Sequence, residues 1–598
     1  MSHAHLARLV RYPVKGLAGV DVGSARVEPG LGLPGDRRLA LARDGAEPSA
    51  RWRPREEYLH LARDAHLGSL RVRHDGDPHA PVLVDVPGAG EFTASPGAEG
   101  DALGAAVASL GAAGGPAPRL VAAPVGQWDW PRAHLSVVNL ATIRELSEAA
   151  GVEIAPERFR ANLYLDGLRP WEELSWMGGR IEVSGAVLRV VQPTDRCRAT
   201  TVRPGSGVGD LNVPALLATA FGHGFCGVYA RVEAAGTIET GAPVTVTPGE
   251  GEAVAPSGAT PSWPREATVV RTVRESANVR SVWLADPLGG RMPPRPGQHL
   301  RVHRAWTGSP GWRCYTVSAV EGARVRVTVR LDGDVSTWLH GLREGDPVTV
   351  TGPFGQATTG PEASSARELV LYSAGVGITP TAAWLRHLVR TRDPARVRVV
   401  HVERRAADLA LWDEVCAAVA ALPDAHARLF LTGEDDPDAL RALGARPGRP
   451  AGADLAADVA DPERTDVLLC GPRPFVRAVR TALAAAGVPD AAVRTEAFTA
   501  PRRVRVEPPR TPTRPGPHEV RLGEDRFTWA AEAGSLLEAA EGAGLSPEHA
   551  CRVGTCGTCA RRLRSGRVEY LLEPTVDTEP DEVLLCCTAP VEDVDLGP

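Results

Sequence analysis

Long apolar runs are missing from this chain. No uninterrupted stretch approaches the ~18 residues of a membrane-spanning helix, and the opening MSHAHLARLVRYPVKG lacks the apolar core of a secretory signal. The expectation is a cytoplasmic protein with no membrane partner. A surplus of one charge is missing too. A net charge of −6 over 598 residues offers nucleic acid no basic surface. Cysteine is scarce, ten in all, too few for a disulfide scaffold. Lysine is nearly absent: Lys15 stands alone among 67 basic residues. An ammonium is a compact point charge and a guanidinium a planar fork, so Lys15 is either a chance survivor or has a task that arginine cannot perform.

What is present reads as ordinary globular sequence, 43% apolar and 23% charged. The length exceeds one hydrophobic core and implies roughly three to five domains. Two Pro- and Gly-rich stretches without apolar period, 249–264 and 501–517, read as linkers. The block before them, 1–248, is strand-rich with one helical pattern at 139–150. Residues 265–361 carry short alternating runs expected of an antiparallel barrel, and 362–500 alternate strand and helix as a doubly wound α/β domain does. Residues 518–598 show a hairpin, a helix and then a Cys-rich loop.

Half of the thiols, Cys551, Cys556, Cys559, Cys586 and Cys587, crowd near the C-terminus. Three are spaced C-x4-C-x2-C with later cysteines following, which is the plant-type [2Fe–2S] ligand spacing. Gly554 and Gly557 allow the backbone to wrap closely around sulfur. A four-thiolate zinc site is the alternative, although zinc usually takes two C-x2-C pairs. The segment LLCCTAPVEDVDL resembles the closing strand of ferredoxin-like domains, whose ligand often stands four residues before a proline. Pro590 then selects Cys586 as the fourth ligand, with Cys587 on the opposite strand face.

Residues 265–500 resemble the ferredoxin–NADP reductase superfamily along their whole length. The resemblance rests on Pro296-Gly297-Gln298-His299-Leu300, Arg313-Cys314-Tyr315-Thr316-Val317-Ser318, Gly333-Asp334-Val335-Ser336 and Gly352-Pro353-Phe354-Gly355. It continues through Gly375-Val376-Gly377-Ile378-Thr379-Pro380 and Cys470-Gly471-Pro472. It implies that Arg313 meets the flavin diphosphate, that Tyr315 lies against the isoalloxazine, and that Thr316 supplies a hydroxyl to the ring. Gly333 and Ser336 would hold the pyrophosphate. Gly375, Gly377, Thr379 and Pro380 would form the nicotinamide-dinucleotide turn at a helix N-terminus. Cys470, Gly471 and Pro472 would stand beside the nicotinamide, with Glu496 and Phe498 near the flavin. Ser318 leans the flavin towards FAD, with FMN the alternative. Arg404 and Arg405 leave NADH against NADPH open. The whole 265–598 arrangement resembles one-chain reductases of the phthalate dioxygenase reductase type, ending in a β-grasp ferredoxin domain.

Residues 1–248 resemble the MOSC domain, a molybdenum-cofactor module, with a β-barrel half over 1–125 and the core over 126–248. The matching pieces include Tyr12-Pro13-Val14-Lys15-Gly16, Asp36-Arg37-Arg38, Leu135 to Ala141, Arg158 to Leu163 and Arg196-Cys197-Arg198-Ala199-Thr200-Thr201. A pterin with a phosphate tail wants cations and planar hydrogen-bonding groups, which Lys15, Arg37, Arg160 and Asn162 would supply, and a soft thiolate for the metal, Cys197. Arg196 and Arg198 would lower the pKa of that thiol, and Cys226 is the better structural thiol. Leu174, where an acidic residue is common, and Arg203 depart from the family pattern. The resemblance implies an enzyme passing electrons from NAD(P)H to flavin, to the cluster and to molybdenum, reducing N-hydroxylated compounds. The alternatives are a reductase serving a separate oxygenase, with the MOSC block as docking module, and a sulfur or cofactor carrier.

Overall fold

The computed structural model describes residues 1–598 apart from 1–3, 44–52, 54, 79, 112–116, 124, 131–133, 250–262, 288–292, 306–307, 309–310, 356–367, 497–506, 546, 548, 550–551, 555–556, 558, 575, 577, 579–580 and 598. It divides into two compact units. One comprises 1–264, 306–310 and 501–598, and the other 265–305 and 311–500. The front block and the C-terminal block therefore share a unit, although 236 residues or more of sequence position part them in the reductase segment's place.

In the first unit an eight-stranded sheet runs in the order Val244–Thr247, Arg180–Val183, Ala186–Asp195, Phe225–Ala234, Leu135–Asn139, Leu163–Asp166, His5–Arg11, Val20–Asp21. All neighbours are antiparallel except Leu135–Asn139 with Leu163–Asp166. The strand nearest the N-terminus thus belongs to the sheet of the 126–248 core. The rest of 1–125 builds small sheets and the helix Ala98–Ala108 over its own core of Val14, Leu17, Leu41, Leu67 and Leu103. The expected helix at 139–150 is Leu140–Ala150; Asn139 caps it by accepting the Ala141 N–H at 2.9 Å.

The C-terminal block of the same unit has a five-stranded sheet, Asp525–Trp529, His518–Leu522, Val594–Leu596, Ala560–Ser565 and Glu582–Leu584, crossed by the helix Leu536–Gly542. This is the β-grasp arrangement. Trp529 is fully enclosed at its centre and donates to the Gly534 carbonyl at 2.9 Å. Ser535 and Glu538 form a capping box that fixes where the helix starts.

In the second unit six antiparallel strands close a barrel: Arg265–Arg274, Val279–Ala285, Arg324–Arg330, Trp312–Glu321, His299–His303 and Pro347–Phe354. Valines alternate inward along these strands and fill the barrel. The second domain is a six-stranded parallel sheet ordered Arg446–Pro447, Ala425–Leu431, Arg396–Glu403, Glu368–Ala374, Thr465–Cys470, Val493–Glu496. Arg326 and Arg386 bind Glu414 at 2.7 and 3.1 Å, tying barrel and sheet together. Among the described residues no helix is long and apolar enough to cross a membrane.

Candidate functional site

In the parallel sheet the strand order reverses between Glu368–Ala374 and Thr465–Cys470. Ligands of open α/β sheets bind outside the carboxyl ends of strands at such a switch. Gly375 and Gly377 leave the first strand there, Gly375 at φ +57°, and lead into the helix Ile378–Thr391. A Cβ on Gly377 would overlap the Cys470 carbonyl, so only glycine lets the two strand ends approach. Thr379 closes the first turn by donating to the Val376 carbonyl at 3.0 Å, and Pro380 is buried beside it. A Cβ on Gly471 would lie 2.7 Å from the Phe475 ring. Pro472 caps the helix Arg473–Ala485.

Cys470 pairs in register with Glu496 across the sheet. Burial pushes the Cys470 thiol well above its usual range, and the Glu496 charge pushes the same way. Burial also pushes the Glu496 carboxyl up to about 7, against a hydrogen bond from the Thr316 hydroxyl. Thr316 comes from the barrel, so this bond joins the two flavin-motif halves. Glu496 Oε2 is buried with no hydrogen-bond partner among the described residues. Tyr315 is partly buried and its phenol is pushed up by that burial. Arg313 donates to the Trp312 carbonyl at 2.8 Å. Gly333, at φ +84°, starts the helix Asp334–Gly341, and Ser336 locks the turn by accepting from Asp332 N–H at 2.7 Å.

Ser318 closes the flavin motif on the strand Trp312–Glu321. It is fully enclosed, 2.9 Å from the Thr328 hydroxyl and 3.2 Å from the Arg326 carbonyl that it donates to. A bulge lies between Val317 and Ala319, and Ser318 is enclosed within the barrel. Phe498 lies outside the described residues.

In the front block Arg37 and Arg160 stack on the Tyr12 ring, 4.7 and 4.6 Å from its centroid. Both hold left-handed backbone at φ 51°, a cost that a functional constraint commonly repays. Arg37 is paired with Asp36 and donates to the Arg160 carbonyl at 3.1 Å. Arg160 donates to the Leu17 carbonyl at 2.6 Å and has no carboxylate partner among the described residues. Burial, and then the neighbouring Arg37, weaken its hold on its proton. Two of the expected ligands are already committed. Asn162 is fully enclosed and uses all four hydrogen-bonding positions, donating to Val10 O and Asp36 and accepting from Ser136 N–H and Arg37. Lys15 is buried and donates to Asp129 at 2.7 Å and Gln127 O at 2.8 Å. Sequence reasoning gave Tyr12 and Asp36 no role although both stand in the quoted motifs, and it missed Asp129, which lies 114 residues from Lys15 and in none of them.

Cys197 follows the strand Ala186–Asp195 and heads the short turn Arg198–Thr201, half-buried. Its expected cationic neighbours face elsewhere. Arg196 is buried and donates to Cys226 O at 2.7 Å and Phe159 O at 2.8 Å, while Arg198 reaches towards Gly534. Cys226 is sealed in the core, its thiol pushed up to about 12 by burial. The acidic residue absent at 174 is supplied one position earlier. Glu173 is fully buried and accepts from Asn139 Nδ2 and Thr142 Oγ1, each at 3.0 Å, and from Gly227 N–H at 3.3 Å. Burial pushes it up to about 7 against those bonds.

Of the iron ligands, Cys551 and Cys556 lie outside the described residues. Cys559 and Cys586 are buried at the same end of the Ala560–Ser565 and Glu582–Leu584 pairing, where Leu585 N–H donates to the Cys559 carbonyl at 3.2 Å. The expectation that Cys587 points away from Cys586 is corrected: both sit in a turn after Glu582–Leu584, with sulfurs 3.6 Å apart. Strand alternation does not apply to a turn, and Gly554 approaches Cys587 so closely that a Cβ there would lie 2.5 Å from its sulfur.

Three family models match the chain: the MOSC domain at 115–245, the oxidoreductase NAD-binding domain at 371–481 and the 2Fe-2S iron-sulfur cluster binding domain at 520–592. The ferredoxin reductase component of 3-ketosteroid-9-alpha-monooxygenase from Mycobacterium tuberculosis is 31% identical over 353 residues, 55% of this chain and 94% of that protein. Stachydrine N-demethylase reductase subunit Stc4 from Rhizobium meliloti is 28% identical over 334 residues, 54% of this chain and 92% of that protein. The flavohemoprotein of Bordetella pertussis is 35% identical over 246 residues, and the chain covers 59% of its length. Among solved structures, phthalate dioxygenase reductase is 22% identical with a TM-score of 0.32, covering 56% of this chain and 97% of that one.

Proposed function

Because the chain belongs, over its C-terminal 55%, to the family of the 3-ketosteroid monooxygenase ferredoxin reductase component and carries a MOSC domain ahead of it, we propose that its electrons end at the MOSC domain, on an N-hydroxylated substrate. The chain is a flavin- and iron–sulfur-dependent NAD(P)H oxidoreductase, moving electrons from NAD(P)H through flavin to a [2Fe–2S] cluster. The proposed overall reaction is R–NHOH + NAD(P)H + H⁺ → R–NH2 + NAD(P)⁺ + H2O. A molybdenum cofactor, when bound, supplies two-electron oxygen-atom chemistry, and a flavin splits a hydride into single electrons.

The residues fit these groups. Arg160, with no carboxylate bonded to it among the described residues, suits a phosphate tail, and Arg37 stands beside it across Tyr12. Lys15, neutralised by Asp129, positions that wall rather than binding the tail. Cys197 is the half-buried thiol in reach of solvent, which suits a metal ligand. In the reductase, Glu496 holds a proton near neutrality beside Thr316 and can return it to a reduced flavin ring. Gly375 and Gly377 make room for the dinucleotide, and Cys470 lies beneath them. Cys551, Cys556, Cys559 and Cys586 are the proposed iron ligands.

The observation that carries the reading is Cys197 at the open end of a MOSC strand, in the same chain as a complete electron supply. The test is Cys197→Ala. NAD(P)H-driven reduction of an artificial acceptor should survive, and reduction of an N-hydroxy compound should vanish. Survival of both activities would refute the molybdenum assignment. A second reading has a separate oxygenase as acceptor; it is favoured by the relatives whose names mark them as reductase components or subunits. An oxygenase partner would then draw electrons equally well from the Cys197→Ala protein.

A further inference from the structure

Within the first unit the ferredoxin block touches the MOSC core at one defined place. The short helix Val213–Leu216 and the π-helical turn Leu217–Phe221 present Ala215 and Ala218, both fully enclosed. They pack in one apolar cluster with Val553 and Leu572 of the ferredoxin block. Val553 lies inside the Cys551–Cys556 loop of the cluster motif, and Leu572 follows the strand Val568–Tyr570. Small side chains on the MOSC side let the loop come close.

Opposite charges surround this apolar centre. Asp195, two residues before Cys197, acts electrostatically on Arg552 and His549. Arg552 is itself bonded to Glu541 at 2.8 Å and to His549 at 2.9 Å. Arg55 of the front block acts on Glu541 in turn. Arg198, next to Cys197, brings a guanidinium nitrogen within 3.0 Å of where a Cβ on Gly534 would stand, so a side chain there would press on it. An apolar centre of small residues ringed by complementary charge is the pattern of a specific docking surface. Asp195 and Arg198, which flank the Arg196-Cys197 pair, both take part in it.

Resting on the functional reading above, we propose that this surface is the seat from which the ferredoxin block hands electrons, one at a time, to the Cys197 end of the MOSC domain. Val553, which follows Cys551 in the sequence, packs against Ala215 and Ala218 and brings its part of the motif onto the acceptor domain. Two single-electron passes from the reduced cluster, with two protons from solvent, complete the reduction of one R–NHOH to R–NH2 and water.

The test uses the full-length holoprotein with Ala218→Cys and Leu572→Cys together, bridged by dibromobimane, a short thiol-to-thiol linker that reductants leave intact. Peptide mass spectrometry should find the two positions joined in the double variant and in neither single one. After reduction by NAD(P)H before bridging, addition of an N-hydroxy compound should restore the visible absorbance of the oxidised cluster in the bridged protein within about threefold of the unbridged rate. If Ala218→Cys does not fold, Ala215→Cys with Leu572→Cys makes the same test. Failure to bridge in folded protein with full iron content would overturn the contact. A bridged protein whose cluster is no longer oxidised by the substrate, while the unbridged one is, would overturn its role as the exit. Absence of molybdenum from the unmodified protein would instead overturn the functional reading, and with it the exit role. Metal analysis reads that outcome separately from the bridge.

Discussion

Glu173 and Glu496 are buried carboxyls pushed up to about 7, but their surroundings differ. Among the described residues Glu173 has three donors directed at it, whereas Glu496 has one donor and an oxygen without a partner. For Glu173 the folded value lies above the unfolded one, so its contribution to stability is complete below the unfolded value and is lost as pH rises through about 7. Glu173→Gln should therefore gain melting temperature relative to the parent as pH climbs from about 5 to about 8, read by thermal melting at each pH. An unchanged difference across that range would mean that Glu173 is ionised throughout. The pairings at this scale were the least legible in sequence. Lys15 finds Asp129 114 residues away, and Thr316 finds Glu496 180 away. Only the folded chain sets which charge meets which, so the Asp129 partner of Lys15, expected as a phosphate ligand, could not be read from the sequence.

At the scale of elements, glycine turns and cysteine spacings were legible because their chemistry is local. Gly377 illustrates this: its place after a strand marked a dinucleotide turn, and the close approach to Cys470 gives the physical reason. Gly377→Ala should destabilise the reductase by about 1–3 kcal/mol and slow flavin reduction by NAD(P)H, checked by melting and by stopped-flow absorbance. Alternation rules failed where a strand is interrupted. A turn brought Cys586 and Cys587 side by side. The proline rule still assigns the iron to Cys586. Cys586→Ser should thus lose the visible absorbance of the cluster while Cys587→Ser keeps it, and the reverse result would exchange their roles.

For the molecule as a whole, composition and linkers laid out three blocks in a row, and each has the fold class its pattern implied. What no linear reading contained is that the first and last blocks form one unit. Apolar contacts such as Ala215 against Val553 come from residues unremarkable in their own segments, so patterning gave no sign of them. On the proposed route, donor and acceptor in one chain have a raised effective concentration without further contacts, and the packing of the ferredoxin block on the front block gives that advantage a location. The most direct measurement is the product balance of the purified chain, alone with a nicotinamide and an N-hydroxy compound in the absence of oxygen. The account predicts one amine formed for each NAD(P)H oxidised, with no other protein added. Brisk NAD(P)H oxidation by an artificial acceptor, with no amine from molybdenum-loaded protein, would contradict it.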